Sequence, residues 1–220
     1  MTSVPPRGFF VTGTDTGVGK TRVAVALIHG LVGRGLRVAG MKPIASGCRL
    51  SEGRLVNDDA LALLAAANTA AVYSDVNPYA FEPAIAPHVA ARQAGITIER
   101  TRILQSYRTL ALAADAVVVE GAGGWLVPIG SAATMADVAR DLCLPVILVV
   151  AMRLGCINHA LLTAGAISTS GLALAGWIAN DPGPAMPERT ASVNAIRERI
   201  GAPQLADHGI GAGSSAIATP

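Results

Sequence analysis

Charge, aromatic residues and cysteine are all scarce in this chain. Seventeen Lys and Arg against fifteen Asp and Glu leave a net charge of only +2 over 220 residues, so no strongly basic surface invites nucleic acid. Aromatic residues make up 4%, which weakens a base-stacking role further. The three cysteines, Cys48, Cys143 and Cys156, are odd in number and widely spaced. They form neither a metal motif nor a disulfide framework, and a reducing cytoplasm is the plain inference. The most apolar run, LPVILVVAM at 144–152, is far too short to span a bilayer and reads as a strand buried on both faces. The N-terminal MTSVPPRGFF lacks the long apolar core of a signal peptide. The expectation is a cytoplasmic protein that binds neither membrane nor nucleic acid.

Apolar residues, by contrast, are plentiful at 51%, enough for one α/β domain with a sizeable core across residues 1–220. GFFVTG at 8–13 is a short apolar strand ending in glycine. From Lys20 to about Val32, Val23, Leu27, Ile28 and Leu31 recur at helical spacing. RVAGMKP at 37–43 reads as a second strand, and DDALALLAAA at 58–67 as a helix with an acidic first turn. Residues 72–94 carry several prolines and read as irregular. A helix is expected over 97–114, a buried strand running into a glycine loop at 115–124 (DAVVVEGAGG), and another strand at PVILVV. Then come a helix at 157–168, a strand at 172–180 (LALAGWIAN) and a helix at 188–200. Strands alternating with helices predict a mostly parallel sheet flanked by helices on both faces, with ligands beyond the carboxyl ends of the strands. The Gly/Ser/Ala-rich tail is weakly patterned, and 205–220 is expected to be flexible.

GTDTGVGKT at 13–21 carries the sharpest chemistry. A strand, a glycine-rich turn and Gly-Lys-Thr opening a helix aim backbone N–H groups at one point, where a phosphate is bound. The front of the loop is one residue longer than the common pattern. Lys20 would supply charge to the phosphates, Thr21 a magnesium ligand, and Gly17 freedom of backbone angle. Lys42, in MKPIASG, closes the second strand and points at the same crevice, with Ser46 nearby as a donor to substrate. Glu120, in VVVEGAGG, ends a buried strand in a carboxylate suited to magnesium. Asp59 is a second carboxylate, with Asp58 competing for the role. LGCINHA at 154–160 offers free N–H groups at a helix start for an anion. Cys156 and His159 there fit a structural part better than a nucleophile and base, and His88 is ambiguous. Asn180 has a paired donor and acceptor that match an adenine edge, or else it serves a turn.

FFVTGTDTGVGKT, AGMKPIASG, NDDALAL, NPYAF, APHVAA, VVVEGAGGWLVP, LPVILVV, LGCINHALLTA and LAGWIAND occur in this order between Phe9 and Asp181. The set closely resembles the dethiobiotin synthetase family, which has the P-loop NTPase fold and the long loop. The resemblance implies ATP as co-substrate, magnesium, and ring closure of 7,8-diaminononanoate with CO2 through a carbamate and a carbamic–phosphoric anhydride. It implies Lys20, Lys42 and Thr16 as catalytic and Thr21, Asp59 and Glu120 as magnesium ligands. Gly17, Val18, Gly19, Lys20, Thr21, Arg22, Gly121, Ala122, Gly123, Asn180 and Asp181 would surround the nucleotide, with Asp59 and Glu120. Thr16, Lys42, Ser46 and Gly123 would contact the diamine. Leu154, Gly155, Cys156, Ile157 and Asn158 would come from a second subunit to hold its carboxylate, making a homodimer. Two features depart from the family: Gly17 where some members carry glutamate, and QLADHGIG at 204–211 without an apolar-Pro step on the adenine side. A nucleotide-switch ATPase of the partitioning or cell-division type shares the fold. Such proteins usually carry an extra lysine early in the loop, and GTDTG has none. A non-catalytic regulatory domain of the same fold would not need Lys20, Lys42 and Glu120 together.

Overall fold

The computed structural model describes residues 8–208. In chain order the elements are β1 (Gly8–Gly13), α1 (Lys20–Val32), β2 (Val38–Met41), β3 (Ile44–Ser46), β4 (Arg49–Ser51), β5 (Arg54–Val56), α2 (Asp58–Ala66), α3 (Tyr73–Val76) and β6 (Tyr79–Phe81). They continue as α4 (Pro87–Gln93), α5 (Arg100–Ala113), β7 (Ala116–Gly124), α6 (Met135–Leu142), β8 (Val146–Ala151), α7 (Cys156–Thr169), β9 (Leu174–Asn180), α8 (Arg189–Arg197) and β10 (Gln204–His208).

The central sheet has six strands in the order β10-β9-β8-β1-β7-β2, and every adjacent pair is parallel. Alternation along each strand divides the core into two layers. Val11, Val118, Ile147 and Val149 face α1, whose Val23, Leu27, Ile28 and Leu31 pack against them. Phe10, Val117, Val119 and Leu148 face the other way, toward Ile103 of α5, Val138 of α6, Ile167 of α7 and Ile196 of α8. Each fully buried aliphatic side chain contributes about 1.5–3 kcal/mol, so Leu27→Ala alone would cost several. The expected parallel sheet between two helical layers is therefore present. Its central strand β1 lies between β7 and β8, so the loop leaving β1 opens at the crevice where successive strands diverge.

Residues 72–94 are not irregular. They hold α3, β6 and α4, elements of three to seven residues that are too short to show a period, and Pro87 starts α4. The sequence reading assigns no element to 135–142, where α6 begins with a reciprocal capping box between Thr134 and Asp137. Gln204–His208 is strand β10, paired along β9, which removes its residues from the expected flexible tail; the remainder of that tail lies outside the described residues. Among the described residues no helix is long and apolar enough to cross a membrane.

Candidate active site

The loop from β1 to α1 ends in Gly19, which caps α1 at φ 91°. A Cβ there would stand 2.2 Å from the Asn180 side-chain nitrogen, so only glycine fits both the angle and the space. Asn180 is buried at the end of β9 and donates its amide to Val18 O at 2.7 Å, pinning the loop from the far side. Its Oδ1 is buried without a partner. At the loop's front, Asp15 accepts from Thr16 N at 2.7 Å and from Arg153 at 2.5 Å. Its backbone oxygen accepts from Lys20 Nζ at 2.8 Å.

Lys42 lies one residue beyond β2. Its N–H donates to Val76 O at 2.8 Å, and its carbonyl accepts from the Asn77 side chain at 2.7 Å. Tyr73 donates to that asparagine and accepts from Asn57 N, so a buried polar chain holds the Lys42 backbone. The ammonium reaches Glu120 Oε1 at 2.6 Å and Asp59 Oδ2 at 2.9 Å. Thr21 Oγ1 donates to the same Glu120 oxygen at 3.0 Å. Asn57 caps α2 by accepting from Ala60 N, and this sets the helical phase. Asp59 then faces Lys42, while Asp58 is exposed and pairs with Arg49.

Burial pulls the Lys20 pKa from 10.5 down to about 8, and the nearby Lys42 ammonium pulls the same way against Glu120, Asp59 and Asp15. Burial would lower Lys42 too, but Glu120 and Asp59 outweigh it and hold its pKa above the ordinary lysine value. Burial would raise Asp59, but Lys42 beside it brings its pKa below the ordinary carboxylate value. The site thus carries two ammonium groups against two carboxylates.

A cavity of about 610 Å³ opens over these groups. Thr16, Gly17, Gly19, Lys20, Thr21, Lys42, Ser46, Asp59, Glu120, Ala122 and Gly123 line it, so both lysines face one space. Sequence reasoning missed its apolar wall, Ala84–Pro87 with Ile44 and Val127. Asn77 falls within the NPYAF motif, but nothing in the sequence reports its hold on Lys42. Ser46 Oγ and Glu120 Oε2 are buried without partners.

Other expected site residues lie elsewhere. Arg22 is exposed on α1, and Gly121 packs against the Phe10 ring, neither lining the cavity. Val18 is buried and meets the site through its carbonyl. The Asp181 carboxylate does not face the cavity: it is buried and gripped by Arg189 at 2.8 Å. Leu154, Gly155, Ile157 and Asn158 are not among the residues that line the cavity. Cys156 is a core side chain at the start of α7, so its thiol is not offered to a substrate.

The donors around Lys42 are all oxygens, two carboxylates and a hydroxyl, with one carboxylate oxygen unpartnered. That set suits magnesium, which takes one or two carboxylates and fills the rest with water and phosphate. Among the described residues no three His, Cys, Asp or Glu side chains cluster into a complete protein cage.

A glycine loop between a parallel strand and a helix, with lysines and magnesium-type oxygens at one crevice, defines the P-loop nucleotide-binding class. Solved structures agree on the fold. A ParA family ATPase from Chlorobium tepidum is 15% identical with a TM-score of 0.54, over 93% of this chain and 84% of that one. The FtsY cell division protein of Thermotoga maritima is also 15% identical at 0.54, over 99% of this chain and 66% of that one. A family model described as an AAA domain matches residues 7–207. The ATP-dependent dethiobiotin synthetase BioD of Pseudomonas paraeruginosa is 53% identical over 90% of this chain and 87% of its own. That of Xanthomonas oryzae pv. oryzae is 48% identical over 90% and 88%. The chain belongs to the dethiobiotin synthetase family.

Proposed function

We propose that this protein closes the ureido ring of dethiobiotin from 7,8-diaminononanoate, CO2 and ATP, in the cytoplasm. The observation that carries the reading is the convergence of Lys20 and Lys42 on one cavity with Thr21, Asp59 and Glu120, in a chain about half identical to named synthetases. One amine adds to CO2 and loses a proton, giving a carbamate. A carbamate oxygen attacks the γ-phosphorus, and ADP leaves. The second amine attacks the carbonyl and loses a proton, the C–O bond to phosphate breaks, and the ring closes.

Lys20 and the loop N–H groups hold the phosphates. Lys42 neutralises the carbamate and the transferring phosphoryl group, where electrostatics dominates the barrier. Thr21, Asp59 and Glu120 would hold magnesium, which when bound offsets triphosphate charge. Thr16, Ser46 and Gly123 orient the diamine, and the Ala84–Pro87 wall excludes water beside it. Fixing both amines near the γ-phosphate gives a proximity gain of roughly 7–11 kcal/mol. Asn180 Oδ1, buried and unpartnered, is offered to the nucleotide base.

The segment 154–158 serves a second copy of the chain. Leu154 is 94% exposed, and Leu162 shares a face of α7 with exposed Asn158. A homodimer would cover these side chains and bring the helix start to the partner's diamine carboxylate. The test is phosphate release with ATP. It should require diaminononanoate, bicarbonate and magnesium together; equal release without the diamine would overturn the reading.

A further inference from the structure

The Asp181 carboxylate is not part of the cavity lining, yet it is nearly completely buried, with 3% of its side chain exposed. Arg189, at the start of α8, donates Nε to both of its oxygens, at 3.0 and 2.8 Å. The other arm of the same guanidinium holds Asp207 on β10, Nη1 reaching Oδ2 at 3.1 Å and Nη2 reaching Oδ1. Asp207 lies opposite Ala179 in the β9–β10 register, and His208 opposite Asn180. One planar cation therefore ties together the carboxyl ends of β9 and β10 and the first turn of α8. A lysine ammonium would lack the planar fork that here faces Asp181 through Nε and Asp207 through both terminal nitrogens.

The residue this clamp bears on is Asn180, immediately before Asp181. Its amide is wedged between Val18 O and Gly19 with no slack, and its Oδ1 is buried and unpartnered. We infer that Arg189 is a positioning residue for the nucleotide base: by clamping Asp181 to Asp207 it fixes the strand end from which Asn180 presents its amide. The inference rests on the nucleotide reading above. It separates two halves of the ligand. The phosphates are held by the loop, Lys20 and Lys42, none of which Arg189 touches; the clamp reaches the loop through the single Asn180–Val18 hydrogen bond, whereas the base would meet Asn180 itself.

Removing Arg189 alone would strand the Asp181 charge in a buried place and risk the fold. The test therefore uses the double variant Asp181→Asn with Arg189→Gln, and Arg189→Lys beside it, each verified as folded by circular dichroism. ATP and inorganic tripolyphosphate are titrated by calorimetry with magnesium present. In the double variant ATP affinity should fall about tenfold and tripolyphosphate affinity less than twofold. KM for ATP should rise similarly while kcat stays within about twofold, and Arg189→Lys should recover only part of the loss. An equal fall for ATP and tripolyphosphate, or full recovery by lysine, overturns the inference. No ATP binding by the wild-type protein overturns the nucleotide reading, and the clamp's role with it.

Discussion

Replacing Lys20 with methionine should make the ligand-free protein more stable at neutral pH while removing its phosphate chemistry. In the unfolded chain this ammonium keeps its proton to about pH 10.5; in the folded protein it releases it near 8. At roughly 1.4 kcal/mol per pH unit, holding it charged in the fold costs about 3 kcal/mol. Methionine escapes that cost but forfeits the bond from Nζ to Asp15 O, worth about 1 kcal/mol. The net gain at pH 7 is about 2 kcal/mol. Between pH 8 and 10.5 the unfolded wild type binds more protons than the folded, so wild-type stability rises with pH. The advantage of the variant should therefore shrink across this window and reverse within it, at about pH 9.5. Urea denaturation of both proteins from pH 7 to 10.5 measures the difference directly. A difference independent of pH, or a less stable variant at pH 7, would refute the view that burial near Lys42 strains Lys20.

Gly19→Ala should cost about 1–3 kcal/mol more in urea denaturation than Gly17→Ala, because both sit at positive φ but only Gly19 has Asn180 in the way of a Cβ. The Asp59 pKa is depressed by Lys42, so its stabilisation is present above about pH 3.8 and lost as pH falls toward the lower folded value. Asp59→Asn should therefore be less stable than wild type at pH 6, with the gap narrowing below pH 4 in the same assay; a constant gap would contradict the pairing. Leu154→Asp combined with Leu162→Asp should turn a dimer into a monomer in sedimentation velocity and raise KM for the diamine at least tenfold. An unaltered dimer would place the interface elsewhere.

Much of the site could be read from the sequence because three of its parts follow or interrupt an apolar strand. The loop and Lys42 come directly after or beyond β1 and β2, while Glu120, expected at a strand end, is the first charged residue inside β7, which runs on to Gly124. Asp59 could not be chosen over Asp58 from composition, since both open the same helix. The Asn57 cap decides between them by fixing where the first turn starts. Asn77 stayed hidden because it acts on the Lys42 carbonyl through a side-chain amide 35 positions away, and no periodicity reports that. The pairing of Asp181 with Arg189 stayed hidden for a similar reason. Arg189 and the further partner Asp207 meet Asp181 only once β10 pairs with β9, and β10 lies in a stretch that reads as tail.

In the proposed reaction a carbamate oxygen, and not water, attacks the γ-phosphorus. Freshly dissolved CO2 carrying 18O in both positions tests it in a short incubation with ATP, magnesium and diaminononanoate, analysed by mass spectrometry before exchange with water. One 18O should appear in the released phosphate and one in the ureido carbonyl of the product. Phosphate free of the label would contradict it.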